Sequence, residues 1–202
     1  MPMSPSLRKL ALTVHVTVSV GWAGALAVFL AHALVGVAST DEQIVRAASL
    51  AMGLAAWFVI MPLSVASLAT GLVQALGTAW GLLRHYWVIF KLALTALATG
   101  VLFLKLQPID EVASAAGNLA ISISEHGTAR ISLLVHAAAG LLVLLAVIVL
   151  AIYKPAGVTG FGETARNRMP QWARWGFAAM GIFAAALVVM ALFGAHGPRA
   201  HG

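Results

Sequence analysis

Long runs of apolar residues, separated by short polar stretches, fill the chain from Leu10 to Phe193. Five of these runs are long enough to form an α-helix of about 20 residues, the length that crosses a bilayer. They are predicted at about residues 10–37, 47–76, 86–106, 131–153 and 175–193. So many long runs exclude a signal peptide followed by a soluble domain. We therefore predict an all-α fold, an integral membrane helical bundle with five transmembrane helices.

Turn-forming residues divide this predicted bundle into parts. Two prolines and three glycines interrupt the chain shortly before the fifth segment. This punctuation predicts a four-helix core at residues 1–154, a cytoplasmic linker at 155–174, and a peripheral fifth helix with an external tail at 175–202. The stretch 107–130 is rich in Ala, Ser and Gly. It is predicted to be an external connection, either a short surface helix or a flexible loop.

The second apolar segment carries a stripe of polar and small residues within about 100° of its circumference. We expect this stripe to face the other helices, and we expect Pro62 to kink the segment. Its members are Trp57, Ser64, Ser67, Gly71 and Gln74.

The composition agrees with a membrane protein. Of the 202 residues, 61% are hydrophobic and 9% are charged, whereas about 25% of the residues are charged in soluble domains. Soluble, disordered and fibrous classes are therefore excluded. The chain has no cysteine, which excludes disulfides, iron–sulfur clusters and thiolate metal ligands. Any metal must be held by histidine, methionine or oxygen.

The charged residues predict an orientation. Lys and Arg number 12 against 6 Asp and Glu, and they are spread over helix ends. We interpret this excess as a sign of topology and lipid contact, and not of nucleic-acid binding. Arg8, Lys9, Arg84 and Lys154 flank one side, whereas most acidic residues flank the other. By the positive-inside rule the N-terminus is predicted to be cytoplasmic.

Four histidines are candidate metal ligands, because an imidazole inside an apolar segment is costly unless it is used. His15 and His32 lie in the first segment, about 25 Å apart in height, which is too far for one iron. His136, in the fourth segment, lies near the level of His32. His85, at the start of the third segment, is the nearest partner for His15, although its position also suits an interfacial residue. The predicted axial pairs of haem b are therefore His32 with His136 and His15 with His85.

The surroundings of these histidines also matter. Residues 137–140, which follow His136, are three alanines and a glycine, and they leave room for a flat macrocycle. The same small residues suit close packing of helices in lipid, so both interpretations stay open. Trp22 lies seven residues after His15 on the same helix face, and we count it among the candidate cofactor-binding residues.

Lys91 is the second unusual polar residue, about a turn and a half into the third segment. Every acidic residue of the chain lies in a predicted loop or near a helix end, so Lys91 has no obvious acidic partner in the membrane. It either extends to the inner headgroups or meets an anionic ligand, such as a haem propionate, a lipid phosphate or a reduced quinone. We include it among the candidate cofactor-binding residues.

The first four segments resemble a loose group of small bacterial membrane proteins. The residues that carry the resemblance are His15, Trp22 and Gly24 in the first segment and Trp87, Lys91 and Leu92 in the third. The stretches GLLRHYWVIFKLALT and ISLLVHAAAGLLVLL resemble uncharacterised actinobacterial integral membrane proteins. The group also includes the CopD-type copper-resistance membrane domain and the haem-containing protoporphyrinogen oxidases of the HemJ type.

The resemblance implies a multi-pass protein of the bacterial cytoplasmic (inner) membrane. By similarity to the HemJ type, His15 is a haem ligand and Lys91 matches the lysine of the third helix. Similarity to the CopD type instead implies copper handling. The chain lacks the arginine that the HemJ type has in the outer half of helix one. The resemblance therefore supports haem binding more than porphyrinogen oxidation.

The predicted function is that of a cytochrome-like membrane protein that holds one or two b-type haems between its helices and transfers electrons. A quinone or another small molecule is the expected redox partner, and any enzymatic activity would be that of a membrane oxidoreductase. One alternative is a copper-handling or other metal-handling membrane protein that uses the same histidines. Another is a non-catalytic membrane protein that acts through a partner chain. The sequence leaves the oligomeric state open, including a homodimer.

Overall fold

The fold is all-helical. The computed structural model describes residues 3–78, 81–160 and 169–193, with side chains described as far as residue 186. The described helices are α1 (Pro5–Ala38), α2 (Glu42–Ala55), α3 (Met61–Gly77), α4 (Tyr86–Gly117), α5 (Gly127–Tyr153) and α6 (Gln171–Phe193). This confirms the predicted all-α class. The predicted external tail after residue 193 and part of the predicted linker, 161–168, lie outside the described residues.

Four helical stretches in the described part of the chain are long and apolar enough to cross a membrane. They are Pro5–Ala38, Glu42–Gly77, Tyr86–Gly117 and Ile123–Tyr153, and they correspond to the first four predicted segments. The fifth predicted segment forms α6, which packs against α4. The ring centroids of Phe90 and Phe177 are 4.2 Å apart at this contact.

The four long helical stretches pack side by side around one apolar core. Both α1 and α4 contact α3 on one side and α5 on the other. Their contacts bury a cluster that includes Trp22, Phe29, Met52, Ile60 and Leu133. Trp22, at 2% exposure, lies at the middle of α1 and near the middle of the bundle.

The register of α1 against α5 is set by two contacts. A Cβ atom at Gly140 would lie 3.2 Å from Leu26 Cδ2, and Arg130 donates a hydrogen bond of 2.7 Å to the carbonyl oxygen of Gly36. The two helices therefore run in opposite directions, so a residue late in α1 faces a residue early in α5. This register decides which histidines share a height.

The π-helical turn Ala56–Ile60 joins α2 to α3 and ends two residues before Pro62. Proline has no N–H to donate, so a regular α-helical pattern is interrupted there. The wider turn also rotates the preceding residues relative to α3. Ser64 and Ser67 are buried as predicted, at 0% and 4% exposure, but Trp57 is 40% exposed. The predicted inward-facing stripe is thus confirmed for the two serines and wrong for Trp57.

The predicted boundary of the third segment at residue 106 is wrong. The helix α4 continues through Pro108 to Gly117, so much of the predicted external connection is helix. Ile109, Val112 and Ala116 are buried along this extension, which packs against α2. The small Ala and Ser residues there suit close packing of two helices, where the sequence suggested a short surface helix or a flexible loop.

Arg46 on α2 is buried at 8% exposure and holds the end of this extension in place. It also forms an ion pair of 2.6 Å with Glu42, one turn earlier. Its guanidinium donates hydrogen bonds to four carbonyl oxygens in the last turn of α4 and just beyond it, those of Ala115, Ala116, Asn118 and Ile121. A cation at a helix C-terminus satisfies carbonyls that have no partner within the helix. Arg46 therefore fixes where α4 ends.

Candidate functional site

A mostly apolar cavity of about 60 Å³ lies between α1, α4 and α5. We call it the outer cavity, because the charge pattern predicts this half of the bundle to be external. Trp22 and Phe29 line it from α1, and Lys105 lines it from α4. His136 and Gly140 line it from α5. It therefore combines a cation and an imidazole within an apolar wall.

The imidazole of His136 is buried, at 7% exposure. Its Nδ1 lies 2.7 Å from the carbonyl oxygen of Ser132. A carbonyl oxygen can only accept, so Nδ1 carries the hydrogen and Nε2 carries the lone pair. Nε2 is buried and has no hydrogen-bond partner among the described residues. His136 thus presents a fixed, unused lone pair about 6 Å from the midpoint of α5.

Lys105 is a polar residue of this cavity that was not predicted from the sequence. It is 7% exposed, and its Nζ lies 3.4 Å from the Ser132 hydroxyl oxygen. A predicted segment ending at residue 106 placed Lys105 at the membrane edge. With α4 extended to Gly117, Lys105 lies about 5 Å from the midpoint of the helix. Lys105 lies fourteen residues after Lys91 and only about 40° away from it around the helix axis. This spacing, which puts both lysines near one helix face, was the signal that could have revealed it.

A second and more polar pocket, of about 80 Å³, lies between α1, α3 and α4 toward the opposite end of the bundle. We call it the inner pocket. His15, Gln74, Trp87 and Lys91 contribute to its lining. The structure thus brings together two of the predicted site residues, His15 and Lys91, on helices α1 and α4.

The ring of His15 is hydrogen-bonded at both nitrogens. Its Nδ1 lies 2.9 Å from the Thr70 hydroxyl oxygen, and that hydroxyl donates its own hydrogen to the carbonyl of Ala66 at 2.6 Å. Nδ1 is therefore the donor, and Nε2 accepts from Lys91 Nζ at 3.3 Å. A Cβ atom at Gly71 would lie only 3.2 Å from the ring. The imidazole is fully engaged and closely packed.

The structure does not bring His32 into the outer cavity. The register of α1 against α5 places His32 within about one turn of the height of His136. However, His32 Nδ1 is hydrogen-bonded to its own helix, at the Val28 carbonyl, and His32 is not among the residues that line the cavity. The predicted pairing of His32 with His136 therefore agrees in height but is not a contact, and it stays a prediction.

His85 precedes α4 and forms an isolated antiparallel bridge with Val158. Its ring centroid is 6.4 Å from that of Trp87. The side chain that reaches His15 Nε2 is Lys91, and His85 is not among the residues that line the inner pocket. The pairing of His15 with His85 as axial ligands also stays a prediction.

Trp22, a predicted site residue, lies between the two polar regions. It lines the outer cavity, and it also lines a gap of about 20 Å³ beside His15, Lys91 and Thr95. Its indole is therefore the wall that the two regions share.

Comparisons with known proteins leave the resemblance inferred from the residues as a prediction. No protein-family model matches the chain, and neither the curated proteins nor the solved structures include a match. Within the described part of the chain, no three or more His, Asp or Glu side chains come together where they could hold a metal ion. The candidate ligands stand singly, and two of them share a pocket with a lysine, His15 with Lys91 and His136 with Lys105.

Proposed function

We propose that this protein is a multi-pass membrane protein that binds haem b in the outer cavity, with His136 Nε2 as an axial ligand, and that it transfers electrons. The observation that carries this proposal is the lone pair of His136. Nδ1 is committed to the Ser132 carbonyl, while Nε2 is buried and without a partner. A hydrogen bond from the far nitrogen to a backbone carbonyl is how metal-ligating histidines are commonly held in orientation.

The membrane setting rests on the four long apolar helices. The basic residues at one end of the bundle favour a cytoplasmic N-terminus, and a bacterial cytoplasmic membrane follows from the resemblance. A hydrophobic quinone is the redox partner that such a protein would meet in the lipid.

Haem suits this arrangement better than a copper ion. A porphyrin supplies four of the iron ligands, so that one or two histidines complete the coordination. Copper held by protein alone needs several side chains at one place. The described histidines stand apart from one another, which favours the cofactor that brings most of its own ligands.

Haem binding requires the outer cavity to widen. The cavity measures about 60 Å³, whereas pockets for drug-sized ligands typically measure about 300–1,000 Å³. Ala98, Ala137 and Gly140 line it, so a flat ring would meet small side chains where α1, α4 and α5 part. His32 donates from Nδ1 to the Val28 carbonyl in the same way, so its Nε2 also carries a lone pair, and the same movement would have to bring this ring into the cavity for it to serve as a second ligand.

The experiment is an absorption spectrum of the purified full chain, expressed with ample haem, first oxidised and then reduced with dithionite. We expect a Soret band and a sharp reduced α-band, with about one iron per chain by metal analysis if only the outer site is filled. Copper in place of iron would favour the metal-handling alternative. Protein with neither metal and no Soret band would overturn the proposal.

A further inference from the structure

The inner pocket contains hydrogen-bond donors that lack acceptors. The Lys91 ammonium has three hydrogens, and its contact with His15 Nε2 uses one of them. The side-chain nitrogen of Gln74, which lines the same pocket, is buried and has no partner among the described residues. The two groups lie on different helices, α4 and α3. The pocket therefore offers several N–H groups from two sides.

The pocket also holds a positive charge without a described counter-charge. No carboxylate is among the residues that line it, and the described ion pair of the chain, Arg46 with Glu42, lies at the other end of the bundle. His15 accepts from Lys91 as a neutral ring and does not cancel its charge. A partly buried cation among unused donors is stabilised by an anion that can accept several hydrogen bonds.

The depth of Lys91 narrows the chemistry of that anion. Lys91 lies about 16 Å from the midpoint of α4, at 1.5 Å per residue, and half of the hydrocarbon thickness is about 15 Å. With the midpoint of α4 at the bilayer midplane, the Cα of Lys91 would lie at the edge of the hydrocarbon, where its long side chain could meet lipid phosphates. The predicted orientation places this boundary on the cytoplasmic side, beside Lys9, Arg84 and Lys154.

We infer that the inner pocket binds a phosphate group, with Lys91 and Gln74 as its donors. The phosphate belongs either to an anionic phospholipid of the inner leaflet or to free phosphate. The pocket volume of about 80 Å³ leaves room for a phosphate group. This site is separate from the outer cavity, so the inference stands whether or not haem binds there.

The test uses the full chain in detergent with two probes. Native mass spectrometry measures retained phosphatidylglycerol, and thermal unfolding measures the effect of inorganic phosphate against chloride at equal ionic strength. We expect Lys91→Met to weaken the binding of one probe by about tenfold, the loss expected when a charged hydrogen-bond partner is removed. We expect Gln74→Leu to weaken it less and Lys91→Arg to preserve it. The probe that responds identifies the source of the phosphate.

The matched control is Lys9→Met, which removes one positive charge from the same end of the bundle outside the pocket. It should leave both measurements unchanged. Binding reduced equally by Lys9→Met and Lys91→Met would overturn the inference, because general surface charge would then explain it. Wild-type protein that responds to neither probe would also overturn it. If Lys91→Met fails to fold, Gln74→Leu and Lys91→Arg still test the inference, because the first should weaken the binding of the probe and the second should preserve it.

Discussion

The outer cavity and the inner pocket each contain one lysine and one histidine, but the two histidines differ in their hydrogen bonds. In each, a lysine of α4 lies with a histidine of a neighbouring helix, His136 outside and His15 inside. The inner ring is hydrogen-bonded at both nitrogens and touches Lys91, whereas the outer ring keeps one buried nitrogen without a partner. A histidine and a lysine inside a helical bundle therefore do not determine by themselves which kind of ligand the site can bind.

The difference arises from the neighbours of each ring. The hydroxyl of Thr70 fixes the tautomer of His15 and the backbone carbonyl of Ser132 fixes that of His136, so Nε2 is the free acceptor in both. Lys91 then occupies that acceptor, while Lys105 is held at the Ser132 hydroxyl. The outer site is left able to bind an electron-pair acceptor such as iron, and the inner site is left with excess donors.

The largest expected effect separates the two histidines. His136→Ala should abolish the haem of the outer cavity, because it removes the proposed axial ligand, whereas His15→Ala should leave the Soret band of that haem in place. The measurement is the haem-to-protein ratio of the two purified variants at equal expression. Equal loss in both variants would show that the two regions act as one site, and loss in His15→Ala alone would reverse the assignment.

A second effect concerns packing around the inner ring. Gly71→Ala should leave the protein less stable than Gly24→Ala does, by about 1–3 kcal/mol, the usual cost of overpacking, because its Cβ would lie 3.2 Å from Cε1 of His15, a ring held at both nitrogens. The measurement is the unfolding midpoint in a denaturant titration of the protein in detergent. Gly24→Ala is the matched control, since nothing lies within 4 Å of a Cβ at that position, and it should be neutral or slightly stabilising.

The smallest effect concerns the charge near the haem. Lys105→Met should lower the midpoint potential of the bound haem by tens of millivolts, because a buried cation stabilises the reduced iron over the oxidised iron. Lys91→Met should shift it less, since Lys91 lies about 21 Å away along α4. Potentiometric titration of both variants measures this. Equal shifts would contradict the placement of the haem beside Lys105.

The sequence predicted the long helices because each apolar run is about as long as a bilayer span, and four of them are long and apolar enough to cross a membrane in the described part of the chain. It did not predict where α4 ends. That boundary depends on Arg46, which reaches carbonyls some seventy residues later in the chain, and such a tertiary contact leaves no local pattern. The same error hid Lys105, which looked like a residue at the membrane edge.

The sequence predicted the depths of the candidate histidines in the bundle but not the directions in which their rings point. Counting residues placed His136 and His32 at similar heights, and the register of α1 against α5 agrees with that. Which nitrogen of His136 is free depends on its bond to Ser132, and the orientation of His32 depends on its bond to Val28. Hydrogen bonds of this kind are decided by local geometry that residue identity alone does not determine.

The position of Trp22 has a consequence for the membrane as a permeability barrier. Lys91, Thr95 and His15 lie on one side of its indole, and Lys105 and His136 lie on the other. Without that ring, polar groups would follow one another through much of the bilayer and could support a chain of water molecules that conducts protons. The indole is 2% exposed, and it lies between the two polar regions together with apolar side chains such as Leu26 and Leu144. In a membrane, this barrier would limit the leakage of protons between the two lysines of α4.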